Sequence, residues 1–176
     1  MEGIVMQGVR SNHRLLGFGL AVLVAAGVCQ PAEAASVGPV ISAARQGNVG
    51  AETYLGSLYL EGQGVPQNAA TAAYWYGQAA RQGDAVAQTD LGLLYQAGRG
   101  VPRNDVLAAY WYRQAAHQGN ANAQNNLGQL YELGHGVPQD YAKAIYWYRL
   151  SGEQGNAAAR QNLMALYAYM AKLKQK

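Results

Sequence analysis

The sequence repeats itself every 36 residues, and this period constrains the fold more than any other feature. Three elements recur in register: a Leu-Gly pair, a Gly-x-Gly-Val-Pro turn and a Tyr-Trp-Tyr triplet. In the first repeat they stand at 55–56, 62–66 and 74–76. A fixed period of this length is typical of solenoids, in which each repeat packs on the next. Because solenoids present extended surfaces for binding, the period favours a binding module over an enzyme.

Each repeat is predicted to form two helices, which we call helix A and helix B. In the first repeat, helix A runs from about Ala51 to Glu61, where apolar residues recur at helical spacing before two glycines end the pattern. Helix B begins after Asn68, whose side chain can cap the free backbone N–H groups of a first turn. Asn104 and Asp140 stand in the same register, so capping is the shared requirement there. Neither helix is long enough to be stable alone, and each must bury its apolar stripe against neighbours.

Glycine stands in the middle of each of these three A helices, at Gly56, Gly92 and Gly128. Glycine inside a helix costs about 1 kcal/mol relative to alanine. Its recurrence therefore predicts a close approach of helix A to helix B of the same repeat. In the last predicted helix the same register holds Met164, where no helix B is predicted to follow.

The predicted fold is all-α, a solenoid of three 36-residue helix pairs with half-repeat caps. The repeats are predicted at 48–83, 84–119 and 120–155. Residues 35–47 echo a helix B and form the predicted N-terminal cap, while residues 156–176 form a capping helix A with a basic tail.

Residues 1–34 have the composition of an export signal. Arg10, His13 and Arg14 form a basic leader, and residues 15–28 form an apolar run that is short for a membrane span. The tripeptide Ala32-Glu33-Ala34 then gives a small-residue cleavage pattern. We expect cleavage after Ala34 and a periplasmic or secreted protein without membrane insertion. A retained N-terminal anchor is the alternative.

Composition and motifs argue against several classes of function. The net charge is only +3, and Lys and Arg do not cluster as they do on a nucleic-acid-binding face. The single cysteine, Cys29, falls in the predicted signal, which leaves no disulfide or thiolate metal site in the mature chain. His117 and His135 lack the spacing of a zinc pair, and no nucleophile turn is present. We therefore predict no enzyme activity, no catalytic residue, no metal and no cofactor.

The pattern Leu-Gly-x-x-Tyr-x-x-Gly-x-Gly-Val, followed by Ala-x-x-Trp-Tyr and Ala-x-Gln-Gly, resembles the Sel-one-like repeat (SLR) family, a tetratricopeptide-like subclass of α-solenoids. The resemblance covers about Ala43 to Tyr167, with a small departure at Ser151-Gly152. It implies a right-handed superhelix whose concave groove is lined by the A helices. It also implies adaptor or scaffold roles, often in bacterial envelope signalling and complex assembly.

If the A helices line such a groove, the candidate partner contacts are their residues outside the apolar stripe. These are Thr53, Tyr54, Ser57, Val86, Thr89, Asp90, Leu93, Asn122, Asn125, Asn126 and Gln129. The set is amide-rich, and amides suit the backbone of an extended peptide because they both donate and accept hydrogen bonds. It lacks Lys and Arg, which disfavours capture of an acidic C-terminal tail. The predicted partner is therefore another protein or an extended segment of one.

Two alternatives to a general interaction module stay open at this point. One is an immunity or inhibitor protein that blocks an effector enzyme of the envelope. The other is a hydrolase or β-lactam-binding enzyme, which the lack of paired cysteines and of a nucleophile–base pair disfavours. The Tyr-Trp-Tyr triplets resemble a stacking platform, but they recur in register with the core and are predicted to pack at repeat interfaces. Only the outer edges of Tyr74, Tyr110 and Tyr146 are expected to be exposed.

Overall fold

The computed structural model describes residues 31–173, which form eight α-helices joined by short turns. The helices in chain order are α1 (Pro31–Arg45), α2 (Val49–Glu61), α3 (Ala69–Arg81), α4 (Ala85–Ala97), α5 (Asp105–His117), α6 (Ala121–Leu133), α7 (Tyr141–Glu153) and α8 (Ala157–Leu173). Most of the predicted export signal and the last three residues of the basic tail lie outside the described residues. Between residues 31 and 173, none of the helices combines the length and apolar character needed to cross a bilayer.

The helices pack in the order of the chain, each mainly against the one before and the one after it. Helix A of the three repeats corresponds to α2, α4 and α6, and helix B corresponds to α3, α5 and α7. The first helix, α1, is in the register of a helix B, and the last, α8, is in the register of a helix A. The predicted all-α solenoid is therefore confirmed.

Polar side chains cap the helices as the sequence predicts. The Asn68 side chain accepts a hydrogen bond from the backbone N–H of Thr71, and Asn104 and Asp140 make the equivalent bond at the start of α5 and α7. Asn48, Asp84, Asn120 and Asn156 cap the A helices in the same way. At the other end of α4, Gly98 adopts a positive φ of 66° and its N–H donates to the Leu94 carbonyl. Such caps fix where each helix begins and ends.

The close approach predicted at the mid-helix glycines is present in all three repeats. The ring of Tyr76 on α3 lies against Gly56 on α2, so a Cβ on residue 56 would lie 2.7 Å from the Tyr76 Cδ1. Gly92 and Tyr112 form the same pair, as do Gly128 and Tyr148. The three tyrosines are almost completely buried, and with Leu55, Leu91 and Leu127 they form the centre of each repeat. Glycine is therefore required because a tyrosine ring occupies the space of a side chain.

Hydrogen-bonded glutamines join successive repeats. Gln118 donates from Nε2 to Oε1 of Gln88 at 2.8 Å, and Gln154 makes the same bond to Gln124. Gln88 is itself buried and donates to the carbonyl of Ala80. These bonds span 30 residues each, so they hold neighbouring repeats in a fixed register.

Candidate protein-interaction surface

The A helices present the sequence-predicted contact residues in four columns, in which successive repeats contribute residues 36 positions apart. Three columns reach solvent, at least in part: Val86 and Asn122; Tyr54, Asp90 and Asn126; and Ser57, Leu93 and Gln129. Along one helix these positions are separated by three or four residues, so they lie on one side of it. We call these eight residues the A-helix face. Tyr54, Val86 and Leu93 are the exposed large apolar side chains on it.

The fourth column, Thr53, Thr89 and Asn125, does not lie on this face. Thr89 is buried and its hydroxyl donates to the Ala85 carbonyl at 2.7 Å, while the Thr53 hydroxyl donates to Val49. Asn125 is also buried, and its Oδ1 accepts a hydrogen bond of 3.0 Å from Asn162 on α8. These side chains face the backbone of their own helix or the neighbouring A helix. Thr89 and Asn125 are therefore buried and Asn125 links α6 to α8, whereas Thr53 is half-buried beside the A-helix face.

Asp90 lies at the centre of the A-helix face in the second repeat. Partial burial raises the pKa of its carboxyl group to about 6, and the negative charge of Asp84 adds to the effect. The hydroxyl of Tyr76, which reaches the carboxylate from the preceding repeat, lowers the pKa and so offsets part of this shift. Such a desolvated carboxylate gains most from a partner that brings a positive charge or strong hydrogen-bond donors.

The hydroxyls of the buried tyrosines border the same face, a contribution that the sequence reasoning missed. Tyr112 donates to Oε1 of Gln96 at 2.8 Å, and Tyr148 donates to Oε2 of Glu132 at 2.6 Å. Burial raises the pKa of Tyr112 and Tyr148, and the Glu132 hydrogen bond and charge raise that of Tyr148 further. The recurrence of tyrosine 20 residues after the mid-helix glycine was the available signal, but it indicated only packing.

The charge of this region is negative. Asp90 belongs to the A-helix face and Glu132 borders it, whereas the face itself contains no Lys or Arg. An acidic segment would be repelled here, and a neutral or cationic one would not.

The first two residues of each aromatic triplet form edge-to-face pairs, at ring-centroid distances of 5.1, 4.9 and 5.0 Å. Trp75 packs against the cluster formed by α1 and α2, and Trp147 lies edge-on to His117 of the previous helix B. The predicted packing at repeat interfaces is therefore confirmed. The outer tyrosines Tyr74, Tyr110 and Tyr146 are exposed, as expected. They lie on B helices and form a surface separate from the A-helix face.

Among the described residues, His, Cys, Asp and Glu side chains nowhere form a group of three or more that could hold a metal ion. The three ion pairs found there are local ones on the surface, such as the 2.9 Å contact between Arg103 and Asp105. The features with potential for recognition are therefore the A-helix face, its acidic centre and the exposed tyrosines.

Three consecutive segments of the chain match the Sel1 repeat, at residues 49–84, 85–120 and 121–156. Among solved structures, a protective antigen of uropathogenic Escherichia coli strains that displays an SLR fold is 40% identical, with a TM-score of 0.72. The similarity covers 74% of this chain but only 28% of the antigen, so the chain spans just over a quarter of that protein. No curated protein sequence matches the chain.

Two further structures have nearly the length of the matched region. A Sel1 repeat protein from Oxalobacter formigenes is 40% identical, with a TM-score of 0.66, over 72% of this chain and 96% of that one. The Helicobacter pylori cysteine rich protein B is 20% identical, with a TM-score of 0.57, over the same shares. At 20% identity, the similarity to the Helicobacter pylori protein reflects the fold alone.

Proposed function

Since the chain belongs to the Sel1 repeat family, whose members are typically protein–protein interaction modules, we propose that it is a non-catalytic adaptor or scaffold that binds an extended partner segment along the A-helix face. The observation that carries this proposal is the continuous placement of solvent-facing residues at one register of consecutive A helices. Tyr54, Asp90 and Asn126 stand one repeat apart, so an extended chain that crosses the helices meets each in turn.

The chemistry of the face specifies the kind of segment that binds. Exposed apolar groups at Tyr54, Val86 and Leu93 offer contact area, and the amides of Asn122 and Asn126 can pair with a peptide backbone. Asp90 then favours a Lys, an Arg or another strong donor at the centre of the segment. The proposed partner is therefore a protein with an extended neutral or cationic segment.

Site-specific photo-crosslinking in the native cell tests this proposal. A photoreactive amino acid at Leu93, on the A-helix face, is expected to give a discrete adduct with a partner protein. The matched control places the same amino acid at Tyr110, which is similarly exposed but lies on helix B. The same adduct from both positions, or none from Leu93, would refute binding along the A-helix face.

A second experiment measures whether the adduct depends on the chemistry of the face. Asp90→Lys in the protein carrying the photoreactive group at Leu93 is expected to abolish the adduct while the protein stays folded by circular dichroism. Arg103→Glu, a charge change at an exposed position away from the face, is the control and is expected to leave the adduct unchanged. Adduct formation that survives Asp90→Lys contradicts the proposed role of the carboxylate.

We also propose that the protein acts in the periplasm or outside the cell. The support is the basic, apolar and small-residue pattern of residues 1–34. Intact-mass measurement on protein from the periplasmic fraction and the medium is expected to give an N terminus at Ala35. Recovery of the full-length chain from the cytoplasm refutes this location.

A further inference from the structure

The two ends of the solenoid are complementary halves of one repeat. Within residues 31–173, α1 is a helix B with no helix A before it, and α8 is a helix A with no helix B after it. In the three complete repeats, helix A and helix B of the same repeat share the Gly–Tyr contact. The helix B side of this interface is thus present at α1, and the helix A side is present at α8.

The half on α8 is an apolar strip formed by Met164, Tyr167 and Ala168, whose equivalents in the third repeat contact helix B. Met164 is 71% exposed, and Tyr167 is 51% exposed although its counterpart in the third repeat, Tyr131, is only 8% exposed. Solenoids usually end in a cap whose outer face is polar, because that face meets water. The strip carries no charged side chain, so it has the composition of an interface.

The half on α1 is an open cavity of about 430 Å³. Val37 and Val40 of α1 line it together with Tyr54 and Leu58 of α2 and the turn at 62–64. Val40 stands in the register of Tyr76, Tyr112 and Tyr148. The cavity therefore lies where the other repeats place a buried tyrosine ring.

At the two ends of the solenoid, the larger and the smaller residue of the A–B contact change places. Inside the solenoid a glycine on helix A meets a tyrosine on helix B. At the ends the helix A position holds the larger Met164 and the helix B position holds the smaller Val40. The two pairs fill the interface with nearly the same number of side-chain atoms. Methionine is well suited to an irregular cavity because its side chain is long and flexible.

We infer that a second copy of the chain covers these ends: α8 of one copy packs on α1 of the next, with Met164 inserted into the cavity above Val40. The contact repeats the interface between helix A and helix B that already occurs three times within the chain. Because it joins two different surfaces, it leaves one free end on each side and produces head-to-tail chains of molecules.

The neighbouring A helices support the same alignment. Asn162 of α8 donates to Asn125 of α6 at 3.0 Å, and these positions are 37 residues apart. The equivalent of Asn162 on α2 is Tyr54, and the residue that continues the series from Asn125 is Gln161. Head-to-tail packing thus places the exposed Gln161 of one copy beside Tyr54 of the next, where an amide and a phenol can pair.

Sedimentation velocity over a concentration series tests this inference with the purified protein, after intact mass has identified its N terminus. The wild type is expected to grow in average mass with concentration. Met164→Lys is expected to weaken association about tenfold or more, since the ammonium group would have to lose its water on entering the cavity, whose described lining carries no acidic side chain to pair with it. Val106→Lys is the control, because Val106 is also an exposed apolar residue but lies on α5, and it is expected to associate like the wild type.

A size exchange provides the sharper test. Val40→Tyr fills the cavity with the residue that the internal repeats use, so it is expected to keep the fold while excluding Met164. Adding Met164→Gly to Val40→Tyr recreates the internal Gly–Tyr pair and is expected to restore association. Loss of association in Val40→Tyr together with its return in the double variant supports insertion of residue 164 over residue 40.

Mixing the two blocked proteins distinguishes head-to-tail packing from other dimers. Val40→Tyr protein retains an intact α8 end and Met164→Lys protein retains an intact α1 end, so a mixture is expected to form one heterodimer and no longer chains. A wild type that stays monomeric at its solubility limit overturns the inference. Undiminished association of Val40→Tyr also overturns it, because the contact then does not use the cavity on α1.

Discussion

The ring of Tyr112 lies so close to Gly92 that a Cβ on residue 92 would be 2.6 Å from the tyrosine Cε1. This contact joins helix A to helix B in the middle repeat, and its equivalents do so in the other two. The first prediction concerns this contact. Gly92→Ala is expected to lower the free energy of unfolding by about 1–3 kcal/mol, because the new methyl group overlaps a fully buried ring whose hydroxyl is hydrogen-bonded to Gln96. Thermal and urea unfolding measure the loss.

Gly77→Ala is the matched control for that substitution. Gly77 is also helical and buried, but a Cβ there meets only the Arg81 guanidinium at 3.6 Å. Helix propensity then decides the outcome, and the variant is expected to be more stable by up to about 1 kcal/mol. Equal effects of the two substitutions would show that the Gly92–Tyr112 contact does not explain the glycine.

A second prediction compares the hydroxyls of two equivalent buried tyrosines. Tyr148 donates to the carboxylate of Glu132 at 2.6 Å, whereas Tyr112 donates to the amide of Gln96 at 2.8 Å. Tyr148→Phe is expected to cost about 1.5–3 kcal/mol, as for a hydrogen bond to a charged group, and Tyr112→Phe about 1 kcal/mol. Chemical denaturation of both variants gives the comparison. A larger loss for Tyr112→Phe contradicts the charge-assisted bond.

A third prediction concerns pH and Asp90. The folded protein raises the pKa of this carboxyl group from 3.8 to about 6, so the folded state holds the proton more tightly than the unfolded state. The stabilising contribution of the protonated group is complete below the unfolded pKa and is lost as the pH rises through the folded pKa. Asp90→Asn cannot ionise, so the variant does not lose stability as the pH rises through the pKa of Asp90. Asparagine fits this position because the same register holds Asn126 and Asn162.

The melting temperature of Asp90→Asn is therefore expected to equal that of the wild type near pH 3.5 and to exceed it by several degrees at pH 7. Tyr76→Phe removes the hydroxyl that lowers the Asp90 pKa. It is therefore expected to shift the pH range in which ionisation of Asp90 lowers the melting temperature toward higher pH. A difference between Asp90→Asn and wild type that is the same at every pH argues against a titrating Asp90.

A fourth prediction separates Asn122 from Asn125, two of the three asparagines of α6, which are identical in type but differ in burial. Asn125→Asp places a carboxylate in a buried position and is expected to cost about 1–3 kcal/mol. Asn122→Asp lies at an exposed position in the first turn, where a negative charge is neutral or favourable, and is expected to change stability little. Thermal unfolding near pH 7.5 measures both. An unchanged stability of Asn125→Asp indicates that position 125 is open to solvent after all.

Much of the fold was predictable because the same physical requirement selects the same residue type in each repeat. The caps at Asn68, Asn104 and Asp140 and the glycines opposite tyrosines are local or intra-repeat features, so their recurrence in sequence is direct evidence for them. The helix boundaries followed from the caps within a few residues.

The surface was less predictable, because burial on an A helix depends on how one repeat rotates onto the next. Asn122 and Asn125 are identical in type, yet one is exposed and the other is enclosed by α8. The environment of Asp90 likewise depends on Tyr76, which comes from the preceding repeat. Neither relation leaves a pattern in a single repeat, and both emerge only when the stacking geometry is known.

Every helix packs mainly on its neighbours in sequence, and this has a consequence for how the chain folds. Ordering any one repeat gives the next a template, so folding can start at several places and spread in both directions. Among the helices of residues 31–173 the middle repeat packs on both sides, whereas α1 and α8 each pack on one neighbouring helix, so local opening is expected to start at α1 and α8. A molecule that binds only the folded ends makes that opening less favourable and thereby stabilises the whole array.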